Sequence, residues 1–420
     1  MSTVRDVSAT HIPVPDPNIG PDDLVVRAAA MRDVLRDEAD AAEERGGYSV
    51  EMHQAFTAAG FYRILQPRRF GGYEFGLDTL FRVVVEIARG DPGTGWGLCL
   101  AAGHAMQVGA FYSERAQAEL FGPDGHFVAP SRTAPTGTAT PVDGGFRVSG
   151  RWDYCSGITH ATHLMAVAVS PDPEAPDDQG RGVPLMVVIP RADFIVLDDW
   201  GGGATLGLQA TGSNTVVVED AFVPARLAEH FNWKDFEIGP EGTVGYRLHG
   251  NPMYLGRLLT FFNGELVATQ VGAARAALDE YEQLIHTKRT SVPPPVPRTE
   301  SPDFQRWLGE LLGRTDAAER LLHSAGESYM DKCRRWEEHG EPFTPEDDAR
   351  LRGVLLQAAK LSFDAIDLMF ATAGTSAAKR GSRLQRYYRD ASMFRTHIAA
   401  QYEVVAASTG RLLLGQPLTF

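Results

Sequence analysis

The stretch PVDGGFRVSGRW, residues 141–152, decides how the chain divides. Its apolar residues fall at alternate positions, the period of a strand with one buried face. Asp143-Gly144-Gly145 supplies the positive φ that a tight hairpin turn demands, since glycine has no Cβ to clash there. Beyond it, HLMAVAVS (163–170), PLMVVIP (184–190), FIVLDDW (194–200) and NTVVVEDAFVP (214–224) read as further strands, rich in β-branched residues and bounded by Gly, Pro and Asp. PDPEAPDDQGRG (171–182) reads as a solvated loop between two of them. A β-domain is therefore expected over residues 127–230.

On either side the period is helical. LVVRAAAMRDVLRDEADAAEERGG (24–47) carries Leu24, Ala28, Met31 and Leu35 on one side and predicts one helix stopped by Gly46-Gly47. A second helix is expected after Ser49, an N-cap, with Glu51 in its first turn and Gly60 at its end. DTLFRVVVEIARG (78–90) follows, and WGLCLAAGHAMQVGAF (96–111) is apolar nearly all round, as a buried helix is. This gives an N-terminal helical domain over 21–126. Downstream, Leu266, Val267, Gln270, Val271, Ala274, Leu278, Tyr281 and Ile285 share one stripe. SVPPPVPRTESP (291–302) is a proline-stiffened loop, and long helices are predicted at 303–337, 346–373 and 384–409, with Gly374 ending the middle one. The C-terminal bundle spans 231–420. In the last helix His397 shares its side with Met393, Phe394, Ala400, Gln401 and Val404, so its imidazole is expected to point inward.

At 420 residues the chain exceeds one hydrophobic core. Its net charge of −14 disfavours nucleic acid and anionic membrane as partners. Cys99, Cys155 and Cys333 lie far apart, which suits a reducing compartment. The N-terminal stretch has no apolar core of a signal peptide, and no run is long enough to span a bilayer, so a cytoplasmic location is expected.

Several chemistries are missing. No G-x-G-x-x-G follows a strand, and G-x-x-x-x-G-K-[ST], G-x-S-x-G and H-E-x-x-H do not occur. His160 and His163 have a spacing that suits a metal only on a helix, and no acidic third ligand is near; no metal site is expected.

Five strings in order carry a family resemblance. FGGYEFGLDTLFRVVVEIARGDPGTGW (70–96), GGFRVSGRWDYCSGITHATHLMAVAV (144–169), GLQATGSNTVVVEDAFVP (207–224), IHTKRTSVPPPVPRTESPDFQRWLGEL (285–311) and AGTSAAKRGSRLQRYYRD (373–390) resemble segments of the acyl-CoA dehydrogenase superfamily. The resemblance runs from about Val25 to Gly415. It implies an α+β fold: an N-terminal helical domain, a middle β-barrel or sandwich domain and a C-terminal four-helix bundle.

Many members take their catalytic base from an E-G-T string after the Arg-Asp pair. Here Arg389-Asp390 is followed by ASMFRTHIAAQ, with His397-Ile398-Ala399 in that place. That histidine, the W-x-x-x-S-G run from Trp152 to Gly157, and His104 in the first domain resemble the two-component flavin-dependent monooxygenase branch.

The resemblance implies the oxygenase component of a two-component system. It would use reduced flavin (FMNH2 or FADH2) from a separate flavin reductase, and O2, to hydroxylate or N/S-oxygenate a small molecule through a flavin C4a-hydroperoxide. The catalytic residues it implies are His104, Ser156 and His397. Ser156 would serve flavin N5. His104 would bridge peroxide or substrate, or merely hold the β-domain; His397 would deprotonate substrate or bond the peroxide. The cofactor-binding residues it implies are Trp152, Ser156, Gly157, Thr211, Gly212, Ser213, Arg289, Gly374, Thr375 and Ser376. Arg289 would pair with flavin phosphate, and Gly374, Thr375 and Ser376 would meet a neighbouring subunit's flavin in a homotetramer. Two other readings stay open: an acyl thioester dehydrogenase on the same fold, and a scaffold subunit that has lost its chemistry.

Overall fold

The computed structural model describes residues 11–171, 182–231 and 238–416. Seven helices come first: α1 (Pro21–Ala29), α2 (Arg32–Arg45), α3 (Val50–Ala59), α4 (Leu77–Gly90), α5 (Pro92–Gly103), α6 (Ala105–Phe111) and α7 (Glu114–Leu120). The single helix expected up to Gly46 is two, α1 and α2, broken at Ala30-Met31. Its stop is as read: Gly46 has φ of 85°. Ser49 caps α3 by accepting from the Met52 N–H at 3.1 Å, a bond of the type whose loss costs about 1 kcal/mol. The buried segment 96–111 also breaks, and the break is at His104, between α5 and α6.

One seven-stranded sheet follows, from β1 (Ser131–Val142), β2 (Gly145–Trp152), β3 (His163–Ser170), β4 (Val183–Pro190), β5 (Ile195–Val196), β6 (Val216–Pro224) and β7 (Ala228–His230), in the order β5-β6-β2-β1-β3-β4-β7. The hairpin expected at residues 141–152 is β1–β2, with Val142 opposite Gly145 and Gly144 at φ of 77°. β1 and β3 are parallel and the other pairs antiparallel. FIVLDDW keeps only two residues of strand. The loop expected over 171–182 lies almost wholly outside the described residues.

Helices resume with α8 (Val244–His249), α9 (Leu258–Thr287), α10 (Pro302–His339), α11 (Pro345–Ala373), α12 (Arg383–Phe394) and α13 (Tyr402–Leu413). α9 packs against α4, α10 and α11 and is buried along most of its length, well beyond the stripe read from its sequence. Asp348 of α11 holds the start of α9: its carboxylate accepts from the Leu259 and Thr260 N–H groups at 3.1 and 2.9 Å. The helix expected over 384–409 is interrupted. α12 ends at Phe394, and His397 sits in extended conformation as the cap of a short turn, Ile398–Ala400. Its inward position therefore comes from a turn rather than from a helix face. Among the described residues no helix is long and apolar enough to cross a membrane.

Candidate active site

A cavity of about 540 Å³ opens where α5, the sheet, α9 and the turn after α12 meet. Much of its lining is apolar: Trp96 and Leu100 from α5, Leu259 and Phe262 from α9, and Met393 from α12. His104, Ser156, Thr211, Ser213 and His397 all reach it. Thus residues separated by nearly three hundred positions in the chain share one wall or another of a single space.

On the sheet side, two glycine-bearing turns interlock. Gly157 N–H donates to the carbonyls of Thr211 and Gly212 at 2.9 and 3.1 Å, and Gly212 N–H donates to Gly46 at 2.7 Å. Gly157 has φ of 86°, and a Cβ on it would lie 2.5 Å from the Gly97 carbonyl, so only glycine fits. The turns bring three buried hydroxyls into line. Ser156 Oγ and Thr211 Oγ1 each lie 2.6 Å from Ser213 Oγ. Three hydroxyl protons serve these two bonds, which leaves one for a ligand; reversing the chain offers a lone pair instead. Such an edge fits a ring atom that is an acceptor in one redox state and a donor in the other, as flavin N5 is.

The second of these turns is pinned from the bundle. Asp390 accepts from the Leu208 N–H at 2.6 Å, and Arg389 donates to the Leu206 carbonyl at 3.0 Å while pairing with Glu43 at 2.8 Å. The Arg-Asp pair therefore fixes the loop that delivers Thr211 and Ser213.

The two cavity imidazoles are wired oppositely. His104 Nδ1 lies 2.7 Å from the Leu100 carbonyl and 3.0 Å from the Ala129 carbonyl, so Nδ1 carries the proton and Nε2 is an acceptor. His397 Nδ1 instead accepts from the Ala399 N–H at 3.2 Å, which places the proton on Nε2 and makes that edge a donor. Trp96 packs edge-on against His397, with ring centroids 5.4 Å apart. Burial pushes both imidazoles down to about 4, helped at His397 by the Arg132 charge. Both are neutral at pH 7.

Other expected residues lie elsewhere. Trp152 is a correction: it is fully buried among the strands, its Nε1–H donating to the Val167 carbonyl at 3.0 Å, and does not line the cavity. The ring fills the gap over Gly137 and Gly150, neither of which leaves room for a Cβ beside it. Arg289 is exposed, donates to the Pro295 carbonyl at 2.7 Å, and does not line the cavity. The arginine that meets Gly374 is Arg298. It is buried, donates to the Ala373 carbonyl at 2.8 Å, and keeps Nε and Nη1 without partners. Gly374, Thr375 and Ser376 beside it are exposed. His160 and His163 turn to different groups, the Tyr48 carbonyl and the Thr162 hydroxyl.

Sequence reading missed the bundle wall. Glu265, Asn263 and Arg352 line the cavity from α9 and α11. Glu265 is fully buried with neither oxygen hydrogen-bonded, an arrangement that costs on the order of 1–3 kcal/mol if nothing binds it. The signal was present: Glu265 is the only acidic residue between Leu258 and Leu278. It stands one place before the apolar stripe that begins at Leu266.

Comparison with known proteins gives the chain's family. Family models described as acyl-CoA dehydrogenase N-terminal and C-terminal domains match residues 25–123 and 266–402. The flavin-dependent monooxygenase oxygenase subunit HsaA of Rhodococcus jostii (strain RHA1) is 30% identical over 395 residues, 94% of this chain and 98% of that one. The FADH(2)-dependent resorcinol hydroxylase oxygenase component of Rhizobium sp. (strain MTP-10005) is 28% identical over 401 residues, 93% of this chain and 94% of that one. The crystal structure of 3-HSA hydroxylase from Rhodococcus sp. RHA1 superposes with a TM-score of 0.82 at 28% identity, covering 95% of this chain and 98% of that one. The chain belongs to the acyl-CoA dehydrogenase family, in its branch of oxygenase components of two-component flavin-dependent monooxygenases. The dehydrogenase and scaffold readings fall away.

Proposed function

We propose that this oxygenase component hydroxylates a small aromatic substrate, using O2 and reduced flavin, FMNH2 or FADH2, that a separate reductase delivers. The observation that carries the reading is the pair of neutral imidazoles presenting opposite edges to one largely apolar cavity. When bound, reduced flavin supplies the two electrons that activate dioxygen. The chain supplies everything else.

Ser156, Ser213 and Thr211 hold the ring edge through their reversible hydroxyl chain, and Gly157 and Gly212 let the backbone come close. Arg298, with two free buried donors beside Gly374, Thr375 and Ser376, suits a flavin phosphate better than Arg289 does. Because Gly374, Thr375 and Ser376 are exposed on this chain, the cofactor they serve is read as a neighbouring subunit's, in keeping with a homotetramer. His104, its Nε2 unprotonated, accepts a hydrogen bond from a substrate hydroxyl and so raises the electron density of the ring. His397, its Nε2 protonated, donates to oxygen at the reacting centre. This exchanges the base role expected for His397 with His104. Trp96, Leu100 and Phe262 exclude water, which would otherwise compete for both imidazoles.

The test is oxygen accounting. A reductase supplies FMNH2 or FADH2 separately, and hydroxylated product is counted against oxygen consumed for a panel of phenols. Product approaching one per oxygen for at least one phenol is the expected result. Peroxide equal to oxygen for every phenol contradicts the reading.

A further inference from the structure

Glu265 lies on the bundle wall of the cavity and takes no part in the roles given to the imidazoles. Its side chain is fully buried and neither oxygen has a hydrogen-bond partner. Other buried aspartates are served. Asp91 accepts from the Thr94 N–H at 2.8 Å, Asp348 from two backbone N–H groups and the Thr260 hydroxyl, and Asp390 from the Leu208 N–H. Glu265 differs from all three. The fold has also made room for it: a Cβ on Gly103 would stand 2.5 Å from Glu265 Oε2. Gly103 immediately precedes His104, so the carboxyl lies over the same end of α5 that carries the acceptor imidazole.

Burial alone acts on this acid and pushes it well above the usual carboxylate range, which favours its neutral form. A protonated carboxyl has an O–H to donate and a carbonyl oxygen to accept. Leaving both unmade in an apolar site is unfavourable, and a ligand that makes them removes the cost.

We propose that Glu265 selects the substrate: its O–H donates to an oxygen acceptor, a carbonyl or an alcohol, on an uncharged hydroxyaromatic compound whose phenol meets His104. This rests on the monooxygenase reading for the phenol, and adds a second polar substituent and the absence of charge. The carboxyl oxygen left over accepts in turn when that substituent is an alcohol. A site built around such a bond discriminates strongly against analogues that lack the partner group, because the buried donor is then left unmade.

The experiment measures equilibrium binding by calorimetry to the flavin-loaded enzyme, with no turnover. The probes are phenol, 4-hydroxybenzyl alcohol, tyramine and 4-hydroxyphenylacetate, and the variants are Glu265→Gln and Glu265→Leu. The alcohol should bind about tenfold more tightly than phenol, and should outbind the cation and the anion. Glu265→Gln, which keeps a donor and an acceptor, should hold that preference within about threefold. Glu265→Leu should abolish it and leave phenol unchanged. An infrared difference between parent and Glu265→Gln should show a protonated carboxyl band that moves when the alcohol is added.

Three results would overturn the assignment. One is a preference that survives in Glu265→Leu. Another is a carboxylate band at pH 7. The third is tyramine as the best probe with its advantage lost in Glu265→Gln, which makes the site an ionised cation receptor. Because binding is read without oxygen, failure of hydroxylation with an intact Glu265 preference would count against the function and not against this residue.

Discussion

The two walls of the cavity treat their polar groups in opposite ways. On the sheet wall, Ser156, Ser213 and Thr211 bond one another at 2.6 Å, and the turns that carry them are locked by backbone hydrogen bonds. On the bundle wall, Glu265 has no partner, and Asn263 uses its amide N–H on the Leu259 carbonyl while its Oδ1 has none. A wall whose groups satisfy each other keeps its shape with or without a ligand. A wall with orphaned groups is stable at some cost and complete only when something binds. The first suits a cofactor whose shape is fixed, and the second suits a substrate that must be told from its analogues.

The largest effect should come from the residue that closes the space between the walls. His397→Ala should lower product per oxygen by about 10²-fold while flavin affinity stays within a few-fold, because the ring supplies a donor to the reacting centre rather than a contact to the cofactor. Oxygen electrode traces against product yield check this. Unchanged coupling would remove His397 from the chemistry.

A smaller effect is expected on the sheet wall. Ser213→Ala takes away the middle hydroxyl and separates Ser156 from Thr211. Flavin affinity should fall by up to about tenfold, roughly the worth of one neutral hydrogen bond, with substrate binding unaffected. Equal losses for flavin and substrate would mean that the walls are not separable as described.

The smallest effect concerns the clamp behind that wall. Burial first, then the charges of Asp91 and Glu43, push Asp390 up to about 7. A carboxyl raised above its unfolded value binds its proton more tightly in the folded state. Its contribution is therefore full below about 4 and is lost as pH rises through about 7. Asp390→Asn keeps an oxygen for the Leu208 N–H and removes the ionisation. Between about pH 5 and pH 8 the variant's Tm should fall by roughly 2–4 °C less than the parent's. Parallel curves would show that Asp390 is not ionising in that range.

The walls also differ in how far the sequence discloses them. The sheet wall is written in short local strings: W-x-x-x-S-G and T-G-S each fix a turn within a few residues, and turns obey local rules of glycine and hydroxyl chemistry. Trp152 belonged to such a string, yet its bulk went to fill the sheet interior over Gly137 and Gly150, which no local rule reveals. The bundle wall is assembled from positions far apart on long helices. Which polar residue of α9 faces inward depends on packing by α4, α10 and α11 together, so a single stripe understates the buried surface and hides Glu265. His397 shows a third case. Its place after Arg389-Asp390 marks the residue, but its edge is not legible, because the tautomer follows from a cap formed only once the helix stops at Phe394.

The proposed chemistry depends on two uncharged histidines that line the cavity with opposite tautomers. Nitrogen-15 spectra of selectively labelled histidines in the flavin-loaded enzyme at pH 7 read both charge and tautomer directly. His104 should be neutral with its proton on Nδ1, and His397 neutral with its proton on Nε2, neither changing until the pH falls towards about 4. A charged ring at either position, or the same tautomer at both, would contradict it.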